Sequence, residues 1–387
     1  GGVHGRELEL KVYNNNGDAD QGLQLLNGAL AQREVFAFLG NQGDALAART
    51  VDVFNQQKVV LFAPVAGGPD VRMQPPERYI FNYRVSYQDE NARMTDYFVN
   101  EANPPFPAIN FALFTEAEPG GALGELGSAG LAGMAQALGA APHRLPESDI
   151  MRATYTRGST NTTAAVEALM RWLSSGERYE VEFMGYPGQI FAMVILTAHD
   201  QPAADFMKRF KDDLARIRNG QTTDYTLSQE EIMRIMSSHL LFGVTSSAGD
   251  GLQQALIQAD PAKYCSSEYP NNQSDMVLSQ VVPFYESNST TVLRYREQLE
   301  AYDSALNPGC ASLEGYIAAR LYVEALTRAG DALTDDHFVD AIESIVDYND
   351  LALAPSPVDF QDHQAMTEVF GTYLDQQCVI QEHAGSN

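Results

Sequence analysis

The chain has 387 residues, 44% of them hydrophobic, which is enough for two lobes each with its own core. Its 51 Asp and Glu against 25 Lys and Arg leave a net charge of −26, a field that repels nucleic acid and anionic lipid. No apolar run reaches the length of a membrane span, so no membrane insertion is expected, and no basic-then-apolar leader opens the sequence.

"ELELKVY" (7–13) alternates like a strand, and "NNNGD" (14–18) is turn chemistry. "ADQGLQLLNGALAQ" (19–32) has helical periodicity, "VFAFLG" (35–40) reads as a buried strand, "DALAARTVDVFNQQ" (44–57) as a helix and "VVLFAP" (59–64) as another buried strand. Continuous apolar strands separated by helices of this length predict parallel βαβ units covered on both faces. "RYIFNYRVSYQDE" (78–90) follows, an alternating strand with Tyr79, Phe81, Tyr83 and Val85 on one face, running into an acidic helix.

After the Pro-rich break "NEANPPFP" (100–107) the pattern restarts. "AINFALFT" (108–115) is a strand, 123–140 a helix opened by the loop "GGALGELG" (120–127), and 151–173 a strand, loop and helix. "FAMVILTAH" (191–199), "PAADFMKRFKDDLARI" (202–217) and "LLFGV" (240–244) continue the alternation. "MVLSQVVPF" (276–284) and "SLEGYIAARLYVEALTRAG" (312–330) add a strand and a long helix. Residues 174–190 and 218–238 read as surface elaborations. The expected lobes are 1–107 with 279–350, and 108–278 with 351–387, hinged near residue 107.

Signatures of catalysis are missing: there is no P-loop, no HExxH and no GxSxG. Cys265, Cys310 and Cys378 show no CxxC and no His at metal-ligand spacing, so no metal, no cofactor and no enzyme activity are expected. A Cys265–Cys310 disulfide in an oxidising compartment and three buried thiols both remain open.

In open α/β sheets, ligands sit outside the carboxyl ends of the strands, beside helix N-termini. Those positions here are "GNQGD" (40–44), "APVAGG" (63–68), "RVSYQDE" (84–90), "TEAEPGG" (115–121), "TAHDQP" (197–202) and "TSSAGD" (245–250), and facing arrays of such loops make a cleft that closes on a small molecule. In this order, "GGVHGRELEL", "ERYIFNYRVSYQDEN" (with Arg84, Ser86, Tyr87, Asp89 and Glu90), "ATYTRGSTNTTAAVEAL", "SQVVPF", "SLEGYIAARLYVEAL" and "DFQDHQ" resemble the type I periplasmic solute-binding proteins of ABC importers, in the leucine/isoleucine/valine-binding group. The resemblance implies two Rossmann-like lobes joined by three crossovers, a periplasmic or extracellular location, and delivery of a small polar ligand (an amino acid, amide or related compound) to an ABC importer permease. The ligand-sensing domain of a receptor is the alternative.

The binding residues that the resemblance implies are Asn41, Gln42, Gly43, Asp44, Val65, Ala66, Gly67, Tyr87, His199, Asp200, Ser246 and Ser247. Several depart from the group's pattern. Asp44 stands where a Ser or Thr usually begins the helix, Ala66 and Gly67 where a Thr is usual, and His199 where a Tyr is usual. Asp44 is expected either to N-cap its helix or to face the cleft; in the cleft, with Asp200, it would disfavour a ligand held by its carboxylate and admit a neutral or cationic one. The group also begins with a strand and helix ahead of "GGVHGRELEL". The first strand–helix unit of lobe one is therefore expected to be missing, and strand 7–13 either to lack its inner neighbour in a sheet of order 2-1-3-4-5 or to borrow one from elsewhere.

Overall fold

The computed structural model describes residues 2–33, 35–102, 110–140, 143–175, 180–183, 186–266, 275–331, 333–348 and 357–382. Its elements in chain order are α1 (Ala19–Gln32), β1 (Ala37–Leu39), α2 (Asp44–Gln57), β2 (Val60–Phe62), β3 (Ile80–Phe81), α3 (Tyr87–Asp96), β4 (Phe111–Ala117), α4 (Glu125–Gly139), β5 (Met151–Thr156), α5 (Thr163–Ser174), β6 (Glu180–Phe183) and β7 (Tyr186–Thr197). They continue as α6 (Asp200–Arg218), α7 (Gln229–Met236), β8 (Ser238–Val244), α8 (Gly249–Ala259), α9 (Pro261–Tyr264), β9 (Met276–Gln280), α10 (Thr290–Tyr302), α11 (Cys310–Ala329), α12 (Asp335–Glu343), β10 (Phe370–Leu374) and β11 (Ile380–Glu382).

The chain divides into two compact units, Gly1–Ser86 with Val281–Phe370, and Tyr87–Gln280 with Gly371–Ser386. The expected hinge at 107 and boundary at 350 lie outside the described residues. The helix that follows the "RYIFNYRVS" strand packs within the second unit, because α3 and α4 meet backbone to backbone: a Cβ at Gly133 would lie 2.1 Å from the Gln88 carbonyl oxygen.

The first unit is built on a parallel sheet, β1-β2-β3, with Ala37 opposite Val60 and Leu61 opposite Ile80. One face carries Val60, Phe62, Phe81 and Tyr83 against Leu313, Ile317 and Leu321 of α11 and Phe338 of α12. The other carries Leu61 and Ile80 against Leu26 of α1 and Val51 and Phe54 of α2. A strand buried on both faces has to be apolar at every position, and β2 is fully buried along its length. The strand expected at 7–13 is not formed. Glu7–Tyr13 has no regular secondary structure and joins no ladder among the described residues, and Leu8, Leu10 and Val12 are exposed. The segment before it is anchored by His4 Nε2 to Thr327 O at 2.9 Å and by Arg6 to the carbonyls of Gly330 and Asp331.

The second unit holds the larger sheet, ordered β11-β10-β9-β8-β7-β4-β5, with parallel pairing of β4 with β5 and β7, of β7 with β8 and of β8 with β9. β4 is buried at all seven positions, as a central parallel strand must be. On one face α3 and α4 bring Met94, Phe98, Leu131 and Met134 to Phe111, Leu113, Met193 and Ile195. On the other, Phe206 of α6 stacks on Phe114 at 4.0 Å. Within the lengthened connection at 174–190, β6 pairs antiparallel with the start of β7. The polar stretch at 218–238 contains α7, started by a capping box of Ser228 and Glu231.

Neither cysteine alternative holds. Cys265 pairs with Cys378, across a Cα–Cα distance of 5.4 Å, and Cys310 is free and buried. The C-terminal β10–β11 hairpin brings Cys378 to the end of α9, a juxtaposition that spacing alone does not announce. The bridge closes a loop of 113 residues within the second unit. Cys378→Ser is expected to lower stability by about 2–5 kcal/mol. Denaturant unfolding of the oxidised protein, the reduced protein and the variant measures this; coincident curves for all three would show that the bridge contributes nothing.

Candidate functional site

The implied binding residues gather into two clusters, one in each unit, both at carboxyl ends of parallel strands. In the first unit the β1–α2 and β2 loops continue the ladder beyond the strands: Gly43 N donates to Val65 O at 3.0 Å and Val65 N to Asn41 O at 2.8 Å. This brings Asn41, Gln42, Gly43, Asp44, Val65, Ala66 and Gly67 together. Asp44 does not cap its own helix. Gly43 is the N-cap, with φ 102°, a conformation natural to glycine, and Asp44 opens the first turn. Its Oδ1 accepts the N–H of Gly68 at 2.8 Å, and a Cβ at position 68 would come within 2.9 Å of that oxygen. The carboxylate therefore ties the second loop to the start of α2, satisfying a buried donor.

The same loop is gripped from its other side by Arg72. Its Nη1 donates to Ala66 O and Gly68 O at 3.0 Å each, its Nη2 to Arg84 O at 2.7 Å, and its Nε to Gln364 Oε1 at 3.0 Å. Gln364, in the "DFQDHQ" motif, returns Nε2 to Arg84 O at 2.8 Å. Arg84 itself makes a two-pronged ion pair with Glu314 of α11, Nε to Oε1 at 2.9 Å and Nη2 to Oε2 at 2.7 Å, both side chains 8% exposed. The arginine in "YRVSYQDE" is thus a structural brace between the β3 strand end and "SLEGYIAAR".

In the second unit, His199, Asp200, Ser246 and Ser247 meet at the ends of β7 and β8. Ser247 Oγ donates to Ala198 O at 2.9 Å, and Thr245 N to Leu196 O at 3.1 Å. Ser246 gives both its N–H (2.8 Å) and its hydroxyl (2.6 Å) to the carboxylate of Glu90, which also accepts from Ser279 Oγ at 2.5 Å and is wholly buried. Tyr87 lies one turn earlier on the same face of α3 as Glu90. Both serine hydroxyls that sequence reading offers to a ligand donate inside the protein. Asp200 begins α6, and its Oδ2 would be 2.3 Å from a Cβ at Gly251 in the first turn of α8.

Glu116 and Arg157 were not among the implied residues. Glu116, near the end of β4 and 1% exposed, has Arg157 Nε at 3.8 Å and His199 Nε2 at 3.9 Å, and its Oε1 lies against the N-cap Gly124 of α4. Arg157 bonds Glu118 at 2.6 Å, and Tyr155 Oη receives the N–H of His199 at 3.4 Å. Burial pushes the Tyr155 phenol well above its ordinary range, so it remains a neutral hydroxyl. An acid closing an otherwise apolar strand was the available signal for Glu116. Among the described residues no group of His, Cys, Asp and Glu could hold a metal ion, and no helix is long and apolar enough to cross a membrane.

A family model described as periplasmic binding protein matches residues 1–171. Comparison with curated proteins gives no match. Among solved structures, a possible leucine/isoleucine/valine-binding protein from Rhodopirellula baltica is 22% identical, with a TM-score of 0.70, covering 95% of this chain and 82% of that one. A fatty acid ABC transporter substrate-binding protein from Thermomonospora curvata is 16% identical, with a TM-score of 0.70, covering 100% and 84%. The branched-chain amino acid transporter substrate-binding protein LivJ from Streptococcus pneumoniae, in complex with isoleucine, is 12% identical, with a TM-score of 0.65, covering 98% and 88%. The chain therefore has the type I periplasmic-binding fold, and the resemblance read from its motifs holds.

Two substitutions separate brace from surface. Glu314→Ala leaves the Arg84 guanidinium buried without its counter-charge and is expected to cost about 3–5 kcal/mol. Asp44→Ala leaves the Gly68 N–H without this acceptor and is expected to cost about 1–3 kcal/mol. Gln42→Ala, at an exposed neighbouring position, serves as the control, expected to stay within about 0.5 kcal/mol. Equal midpoints for all three in chemical denaturation would overturn the assignment.

Proposed function

We propose that the protein is an extracytoplasmic solute-binding protein that captures a small polar ligand, neutral or cationic, and hands it to the permease of an ABC importer. The fold and the gathering of loops at the carboxyl ends of parallel strands in each unit support the capture role. The Cys265–Cys378 disulfide fits an oxidising compartment outside the cytoplasm. The role requires no chemistry on the ligand.

The charge of the ligand rests on one recurring observation: protein carboxylates already sit at the helix starts where a ligand carboxylate would bind. Asp44 opens α2 and holds Gly68 N–H, Glu116 lies against the N-cap of α4, and Asp200 opens α6 and lies against the first turn of α8. A second carboxylate brought to any of these positions would meet a like charge at close range, at a cost of several kcal/mol when desolvated. Backbone carbonyls and the exposed side of His199 suit amides and amines.

The test is thermal denaturation in the presence of putrescine, acetamide, urea, leucine and benzoate, followed by calorimetry of whatever stabilises. A ligand at a hundred times its dissociation constant adds roughly 2.7 kcal/mol to stability. Stabilisation by the amine or a neutral amide, with leucine and benzoate inert, is the expected result. Tight binding of leucine or benzoate alone would overturn the charge assignment and leave the transport role standing. If no member of any class stabilises the protein, the solute-binding reading itself falls.

A further inference from the structure

The carboxyl edge of the β4–β5 pair carries a hydrogen-bond donor and an acceptor side by side. Glu116 and Tyr155 are direct partners in the parallel register, so their side chains leave the sheet on the same face. Both are buried, Glu116 1% exposed and Tyr155 3%. A row of rings holds the phenol in place: Tyr155 stacks on Phe114 at 5.3 Å, and Phe114 stacks on Phe206 of α6 at 4.0 Å. The row fixes where the hydroxyl ends, at the strand terminus beside His199, whose N–H it accepts at 3.4 Å.

The phenol has one proton to give, and among the described residues it gives that proton to no protein acceptor. Burial keeps the proton in place by pushing the phenol well above its ordinary titration range. Glu116 beside it is a carboxylate, which only accepts and has room for about four hydrogen bonds. Its cationic neighbours, Arg157 Nε at 3.8 Å and His199 Nε2 at 3.9 Å, stand beyond hydrogen-bond distance, and the short bond of Arg157 goes to Glu118 at 2.6 Å. Three head groups of one shape would meet this pair differently. A carboxylate offers Tyr155 an acceptor but sets a second anion against Glu116. An amidinium satisfies Glu116 and leaves the buried hydroxyl without an acceptor. A primary amide or a urea brings a carbonyl oxygen and an N–H together, and answers both.

We propose that Glu116 and Tyr155 are a specificity pair for a neutral primary amide or urea, with Tyr155 donating to the ligand's carbonyl oxygen and Glu116 accepting from its N–H. This rests on the solute-binding reading above and narrows its neutral-or-cationic class to the neutral one. His199, 52% exposed and not hydrogen-bonded to Glu116, is the side chain that turns aside to admit the ligand.

Calorimetry with acetamide, acetate and acetamidinium tests the pair, since the three share one shape and differ only in donors, acceptors and charge. Acetamide is expected to bind tightest. Tyr155→Phe keeps the ring stack and removes the hydroxyl, and it lowers the affinity for acetamide about tenfold relative to acetamidinium. Glu116→Gln keeps the shape and removes the charge, and it raises acetate relative to acetamidinium by about tenfold or more. A merely structural role would lower all three affinities together and leave their ratios alone. Tighter binding of acetate or acetamidinium by the unmodified protein, unchanged ratios in the variants, or loss of all binding in both variants would each overturn the specificity pair and leave the solute-binding role standing. Binding of none of the three by the unmodified protein overturns it as well, while the transport reading is then decided by the wider ligand screen.

Discussion

The first unit depends on a charge taken out of water. Arg84 and Glu314 are both 8% exposed, and their two parallel bonds of 2.9 and 2.7 Å lock the end of the β3 strand to α11. Everything on the loop side of that unit hangs from the position this pair fixes. The Arg84 carbonyl is the acceptor for both Arg72 and Gln364; Arg72 in turn holds the carbonyls of Ala66 and Gly68; and the N–H of Gly68 ends on Asp44 at the head of α2. A sheet whose three strands have lengths of three, three and two residues has too few ladder bonds to set loop geometry by itself. Side-chain forks supply what the ladder lacks. Such a network is worth keeping whole, since one missing partner strands a buried charge.

The second unit solves the same problem differently. Its parallel ladder runs through five strands, β5-β4-β7-β8-β9, and its loops are organised by carboxylates, with few basic partners. Glu90 collects three donors from the β8 loop and β9, and Glu116 sits between Arg157 and His199. Close approach has a local signature. Gly68, Gly124 and Gly251 each lie where a Cβ would strike an acidic oxygen, of Asp44, Glu116 and Asp200 in turn. Glycine at those places is a steric consequence of seating an anion against a loop or a helix start. The acidic residues that dominate the composition are therefore of two kinds, most of them solvated on the surface and a few buried as organisers of the strand ends.

That distinction explains what was legible in the sequence. Elements carried by periodicity were clear: 19–32 and 44–57 match α1 and α2 residue for residue, and the apolar runs found their strands within a few positions. The gathering of residues 41–44 with 65–67 followed from the βαβ pattern, because strand carboxyl ends converge whatever the side chains do. Side-chain direction did not follow. Asp44 was read as a helix cap or a ligand contact, yet it binds a glycine 24 positions away; Ser246 and Ser247 were read as open hydroxyls, yet both donate within the protein. The Cys265–Cys378 bond was missed for the same reason, since it depends on where a terminal hairpin docks. Long-range partners are chosen by tertiary geometry, and a single sequence records only the residue types that such geometry could use.

Residues 7–13 show the converse, a local pattern that the fold leaves unused. The alternation of "ELELKV" is as good a strand signal as any in the chain, and residues 3–6 just before it are anchored on the end of α11. A strand, unlike a helix, cannot satisfy its own backbone; its hydrogen bonds come from a neighbour or from water. Helix α1, a few residues further on, forms regardless, because its bonds are internal, the Asp18 carboxylate caps its first turn and Leu26 reaches the core. Pattern and propensity suffice for an element that closes on itself. For one that needs a partner, pattern alone does not form it, and Leu8, Leu10 and Val12 stay exposed.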